Sequence, residues 1–141
     1  MRGLPGLIRL HRFKLDEERR KLAALESLAE VFRRQIAALE DELKREADLV
    51  RGSPEAAQTY GSYLVAARAR RARLQASAAD VMRQIAEEHA EVARAFQDAK
   101  RYELAQENRE RRAAEAARHR EQSEMDEVGL NLFRRGSGGR G

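Results

Sequence analysis

The chain of 141 residues has no cysteine, no tryptophan, two prolines and only 5% aromatic residues. Without cysteine there is no disulfide framework, no Cys-ligated zinc and no thiol nucleophile, which fits a reducing compartment. The prolines are Pro5 and Pro54, and one glycine, Gly61, lies between Ser53 and Val128. A stretch so poor in breakers argues for long helices and against sheets and nucleotide-binding α/β folds. The longest uncharged run, Ala56 to Ala67, is twelve residues and includes Gln58, Thr59, Tyr60 and Ser62. A membrane-spanning helix needs about 20 apolar residues, so none is expected. Arg2, Arg9, His11 and Arg12 interrupt the N-terminal apolar residues, which excludes a signal peptide and predicts a soluble, cytoplasmic protein, or one bound peripherally.

Charged residues, by contrast, make up 37% of the chain, and 28 basic against 24 acidic ones give a net charge of +4. They are unevenly placed. Residues 1–52 carry 12 basic and 10 acidic side chains, 53–86 carry 5 and 2, and 87–128 carry 8 and 12. Acidic residues interleaved almost everywhere argue against binding a phosphate backbone, despite a pI of 9.8. Hydrophobic residues make up 42%, with alanine the largest share, so the chain is helix-prone yet short of bulk for a thick core.

Every seventh residue from Ile8 (Ile8, Leu15, Leu22, Ala29, Ile36, Leu43, Val50) is apolar. The companion positions are Leu4, His11, Glu18, Leu25, Phe32, Leu39 and Glu46. A period of 3.5 residues held this long marks a left-handed coiled coil. The first helix is expected over about 5–51, with a turn at 52–54. In that turn Gly52 would take the left-handed conformation, Ser53 would cap the next helix, Pro54 suits its first position and Glu55 its positive end. The second helix is expected over about 54–128, with a weaker seam through Tyr60, Leu64, Ala67, Arg71, Leu74, Ala78, Val81, Ile85, Glu88, Val92, Ala95, Ala99 and Tyr102. Residues 129–141, ending in Arg-Gly-Ser-Gly-Gly-Arg-Gly, read as a flexible Arg/Gly-rich tail.

If the chain folds back at Ser53–Pro54, residues whose numbers add to about 107 face each other. Leu43 then meets Leu64, Leu39 meets Ala67, Phe32 meets Leu74, Leu25 meets Val81, Leu22 meets Ile85, and Leu15 meets Val92. The two seams are therefore complementary in one antiparallel hairpin spanning 4–128, a single all-α domain. Its expected core is Ile8, Leu15, Leu22, Leu25, Phe32, Ile36, Leu39, Leu43, Leu64, Leu74, Val81, Ile85 and Val92. The second helix should overhang the first by about 40 Å, from near Tyr102. Dimerisation through either seam is the competing use of the same residues.

Chemistry-bearing patterns are missing. The histidines are His11, His89 and His119, with His11 on the seam and His89 expected near Glu18. There is no H-E-x-x-H and no phosphate-binding glycine loop, and no serine has a plausible base and orienter. No enzymatic activity, cofactor, metal or small-molecule substrate is expected. What remains is binding. Tyr60 and Tyr63 lie one helical turn apart beside the hairpin turn, either closing its end or anchoring a partner. Arg68, Arg70, Arg71 and Arg73 are either a solvated face or a dock for an acidic partner, with Arg71 beside Ile36.

Two segments resemble the FliJ family of flagellar type III export proteins. The start, Leu4-Pro5-Gly6-Leu7-Ile8-Arg9-Leu10-His11-Arg12 through Leu15-Asp16-Glu17-Glu18-Arg19-Arg20-Lys21, resembles the N-terminal helix of such proteins. Glu121-Gln122-Ser123-Glu124-Met125-Asp126-Glu127-Val128 with Arg134 and Arg135 resembles their ending, and Arg101-Tyr102-Glu103-Leu104 with Glu107-Asn108-Arg109 the preceding stretch. The resemblance implies a stalk-like, non-enzymatic partner of the hexameric flagellum-specific export ATPase. It implies contact with that ATPase through the end bearing Arg9, Arg12, Glu121, Gln122, Met125, Asp126 and Glu127. It also implies contact with the cytoplasmic domain of the export-gate membrane protein and escort of export chaperones, for which Tyr60, Tyr63, Arg68 and Arg71 are the candidates. The membrane is then met only peripherally, at the inner face of the export apparatus. The alternatives are a generic dimerising coiled-coil adaptor and a basic nucleic-acid adaptor.

Overall fold

A computed structural model describes residues 3–138. Two helices account for nearly all of them: α1 over Leu4–Arg51 and α2 over Pro54–Gly138, folded as an antiparallel hairpin. At the start of α1 the Leu7 amide donates to the Gly3 carbonyl at 2.9 Å. Pro5 sits in the first turn, where its missing N–H leaves nothing unpaired.

The turn differs from expectation in one respect. No glycine among the described residues has a positive φ, so Gly52 is not a left-handed cap. Instead the last turn of α1 tightens: the Gly52 amide donates to the Leu49 carbonyl at 3.2 Å and the Ser53 amide to the Val50 carbonyl at 3.4 Å. Three-residue closures of this kind satisfy carbonyls that would otherwise face water at a helix end. A Cβ at position 52 would lie 3.8 Å from the Leu49 carbonyl oxygen, an ordinary contact. Gly52→Ala is therefore expected to stabilise the hairpin by about 0.4–1 kcal/mol through the unfolded chain, read as a raised urea midpoint. Ser53 does cap α2, its hydroxyl accepting from the Ala56 amide at 3.4 Å.

The described residues form two compact units, 11–97 and 3–10 with 98–138. In the first, α1 and α2 lie side by side with the expected seam between them. Leu15, Leu39, Ala67 and Val81 are buried there. Leu22, Leu25, Phe32, Ile36, Leu43, Leu64, Leu74, Ile85 and Val92 are half-buried. The antiparallel pairing shows in cross-helix contacts: Arg71 Nη2 lies 3.3 Å from Glu40 Oε1, and Glu18 is hydrogen-bonded to Glu88. In the second unit Leu4, Ile8 and Ala99 are buried, and Tyr102, Glu103 and Gln106 are half-buried.

α2 does not stop near Val128. It passes through Gly129 and continues to Gly138, so the expected tail is helical as far as that residue, and 139–141 lie outside the described residues. One glycine inside a helix costs only about 1 kcal/mol, and Leu130, Leu132, Phe133, Arg134 and Arg135 that follow suit a helix well enough to carry it onward. The Ser137 hydroxyl, which donates to the Phe133 carbonyl at 2.8 Å, marks the last turns.

Candidate protein-interaction surface

From Glu107 to Ser137 every residue of α2 is exposed except Ala117, which is half-buried. Side-chain links along the way are local, as where Arg111 donates to Asn108 at 2.8 Å and Gln106 to Glu110 at 3.3 Å. A charged helix of this length, with local pairs worth only about 0.2–0.5 kcal/mol each, is marginal alone in water.

The stretch is also where large apolar side chains face solvent. Met125 and Phe133 are each 75% exposed, with Val128, Leu130 and Leu132 also exposed. Met125, Val128 and Leu132 follow helical spacing and so share one face, with Glu121 and Glu124 bordering Met125 and Val128 in a shallow groove. Arg9, Arg12, Glu121, Gln122, Asp126 and Glu127 are exposed as well. Leu130, Leu132 and Phe133 are the residues that sequence reasoning left aside. Their signal was present, as three large apolar residues in a segment assigned to a flexible tail.

The structure treats the other candidates differently. Tyr60 and Tyr63 are half-buried with ring centroids 6.3 Å apart. The Tyr63 hydroxyl is buried toward α1, and that burial, with Glu42 and Glu46 nearby, pushes its pKa above the ordinary phenol value. Arg71 is half-buried in its pair with Glu40. Arg68, Arg70 and Arg73 are exposed. His89 is exposed too, and it is Glu88, one residue earlier, that meets Glu18. Among the described residues no cluster of three or more His, Cys, Asp or Glu is placed to hold a metal ion. No helix there is long and apolar enough to cross a membrane.

A two-helix antiparallel coiled coil whose second helix carries an uncovered apolar face is the architecture of a helical protein–protein adaptor. The chain belongs to the FliJ family of flagellar export proteins: the family model described as Flagellar FliJ protein matches residues 1–138. No curated protein matches the chain, and no solved structure does. Membership gives the chain a role in flagellar protein export.

Proposed function

We propose that the chain is a non-enzymatic, stalk-like activator of the hexameric flagellum-specific export ATPase. It works at the inner face of the cell membrane, held there by the export apparatus. The supporting observation is the exposed apolar face through Met125, Val128 and Leu132 on a helix that continues to Gly138. Burying three such side chains against a partner would contribute about 1.5–3 kcal/mol each, enough to hold a helix that is marginal by itself. Glu121 and Glu124 border this face, and Gln122, Asp126 and Glu127 on α2 and Arg9 and Arg12 on α1, all exposed, are further candidate contacts. Export chaperones and the cytoplasmic domain of the export gate are the further partners. For these Arg68 is the best-exposed candidate, since Tyr60, Tyr63 and Arg71 are largely occupied within the hairpin.

Deleting Glu121–Arg135 should leave the thermal unfolding of the 11–97 hairpin unchanged by circular dichroism while abolishing stimulation of ATP hydrolysis by the purified ATPase. Full stimulation by the shortened chain would rule the proposal out. A milder variant, Met125→Asp with Leu132→Asp, should weaken stimulation about tenfold or more at limiting concentration.

A further inference from the structure

The exposed stripe at the end of α2 keeps a heptad spacing of its own. Glu121, Met125, Val128, Leu132 and Arg135 follow one another at alternating steps of four and three residues, along one side of the helix. All five are exposed. Glu121, Glu124, Met125 and Val128 line a shallow groove. Their spacing of i, i+3, i+4 and i+7 is that of the four-residue hole which, in a coiled coil, accepts one side chain of the facing helix. The hole stands open, and the same stripe carries a side chain that fits it.

A second copy running antiparallel, with facing residue numbers adding to 256 or 257, would supply Leu132 to that hole. Met125 then meets Leu132, Val128 meets Val128 across a twofold axis, and Glu121 meets Arg135 at both ends. On one edge Glu124 faces Asn131. On the other Gly129 faces Gly129, which lets the two helices approach closely. Charge selects the direction, since a parallel pair would set Glu121 against Glu121 and Arg135 against Arg135. Glu121 and Arg135 are exposed and make no ion pair among the described residues, so both are available for this. Asp126, Glu127, Leu130, Phe133 and Arg134 lie away from the stripe and take no part.

We propose that the end of α2 is a self-association surface, on which two copies pack their stripes antiparallel with a twofold axis at Val128. About four helical turns are in contact, so the dimer is weak, and it covers the stripe until a stronger partner displaces it. Sedimentation of the full chain alone tests it, without the export ATPase, so its failure is separate from failure of the functional reading. Concentration-dependent dimerisation is expected at about 10–500 μM. Glu121→Arg should raise the dimer dissociation constant about tenfold or more, because it sets arginine against Arg135 at both ends, and Arg135→Glu should do the same. The two substitutions together should return the constant to within about threefold of the parent. The native lack of cysteine allows the register to be read directly. Val128→Cys should cross-link with itself through a short bismaleimide, whereas Met125→Cys should cross-link only when mixed with Leu132→Cys. A monomer at all these concentrations would overturn the proposal, as would a double variant that associates no better than the single ones. Efficient cross-linking of Met125→Cys with itself would do so too. So would protection of a Val128→Cys thiol from maleimide only when the purified export ATPase or a chaperone is added.

Discussion

Leu39→Asp is expected to lower the thermal midpoint of the hairpin by about 20 °C or more. Leu39 is 4% exposed and shares with Val81 the lowest value in the 11–97 seam. The substitution removes about 1.5–3 kcal/mol of apolar burial and forces a carboxylate, or the proton needed to neutralise it, into the seam. Together these come to about 4 kcal/mol, against a total stability that for small domains is about 5–15 kcal/mol. At roughly 4–8 °C per kcal/mol the midpoint falls accordingly. Leu49→Asp, at a position 63% exposed, is the control and should stay within about 0.5 kcal/mol of the parent. Circular dichroism melts that coincide for Leu39→Asp and the parent would mean that the seam is not the core.

Glu88→Gln is expected to raise the midpoint at neutral pH by several degrees and to flatten its pH dependence. Glu18 and Glu88 meet across the seam as a hydrogen-bonded pair, with one Glu88 oxygen buried and otherwise unpartnered. Two carboxylates in contact hold one proton better than none. The bond from Glu18 and partial burial raise the Glu88 pKa, with Glu18 and Glu91 charges adding to this and Lys21 opposing it. The bonds from Glu88 and from Lys21, at 3.2 Å, lower that of Glu18.

The sign differs for the two groups. Stability from Glu88 is fully present below its unfolded value and is lost as pH rises through its raised folded value. Stability from Glu18 is present above its unfolded value and is lost as pH falls through its lowered folded value. The hairpin should therefore be most stable in the mildly acidic range between the two and weaker at neutral pH, where both carboxylates ionise. Glutamine at 88 donates to Glu18 at every pH and removes the loss on the neutral side. A parent midpoint that does not fall between mildly acidic and neutral pH would dismiss the shared proton.

The seam was legible because a heptad period is a geometric instruction. Ile8, Leu15 and Leu39 in α1, and Ala67, Val81 and Ala99 in α2, sit buried where a 3.5-residue repeat places them. Even the polar positions His11, Glu18 and Glu46 fall on the half-buried side. Termination was less legible. Gly52 and Gly129 carry the same residue type, yet one ends a helix and the other lies inside one. The difference comes from the neighbours: Ser53 and Pro54 start a new helix after the first, whereas Leu130, Asn131 and Leu132 continue the old one.

The Glu18–Glu88 contact was missed by one residue, because facing numbers fix a layer more loosely than they fix a side chain. For the interaction surface, the sequence marked Met125 and its acidic neighbours. Only the continued helix puts Leu132 on the same face.

The described residues include no large side chain less than 2% exposed. Each seam layer of the hairpin borders only the layers before and after it, so folding free energy accumulates along the helices rather than around a centre. Loss of structure in such a chain advances as a front. Amide hydrogen exchange should then rise gradually along the 11–97 hairpin away from Leu39 and Val81, with no plateau of globally protected amides. In that respect the hairpin resembles a zipper more than a globule, and a single number for its stability describes only the last layer to open.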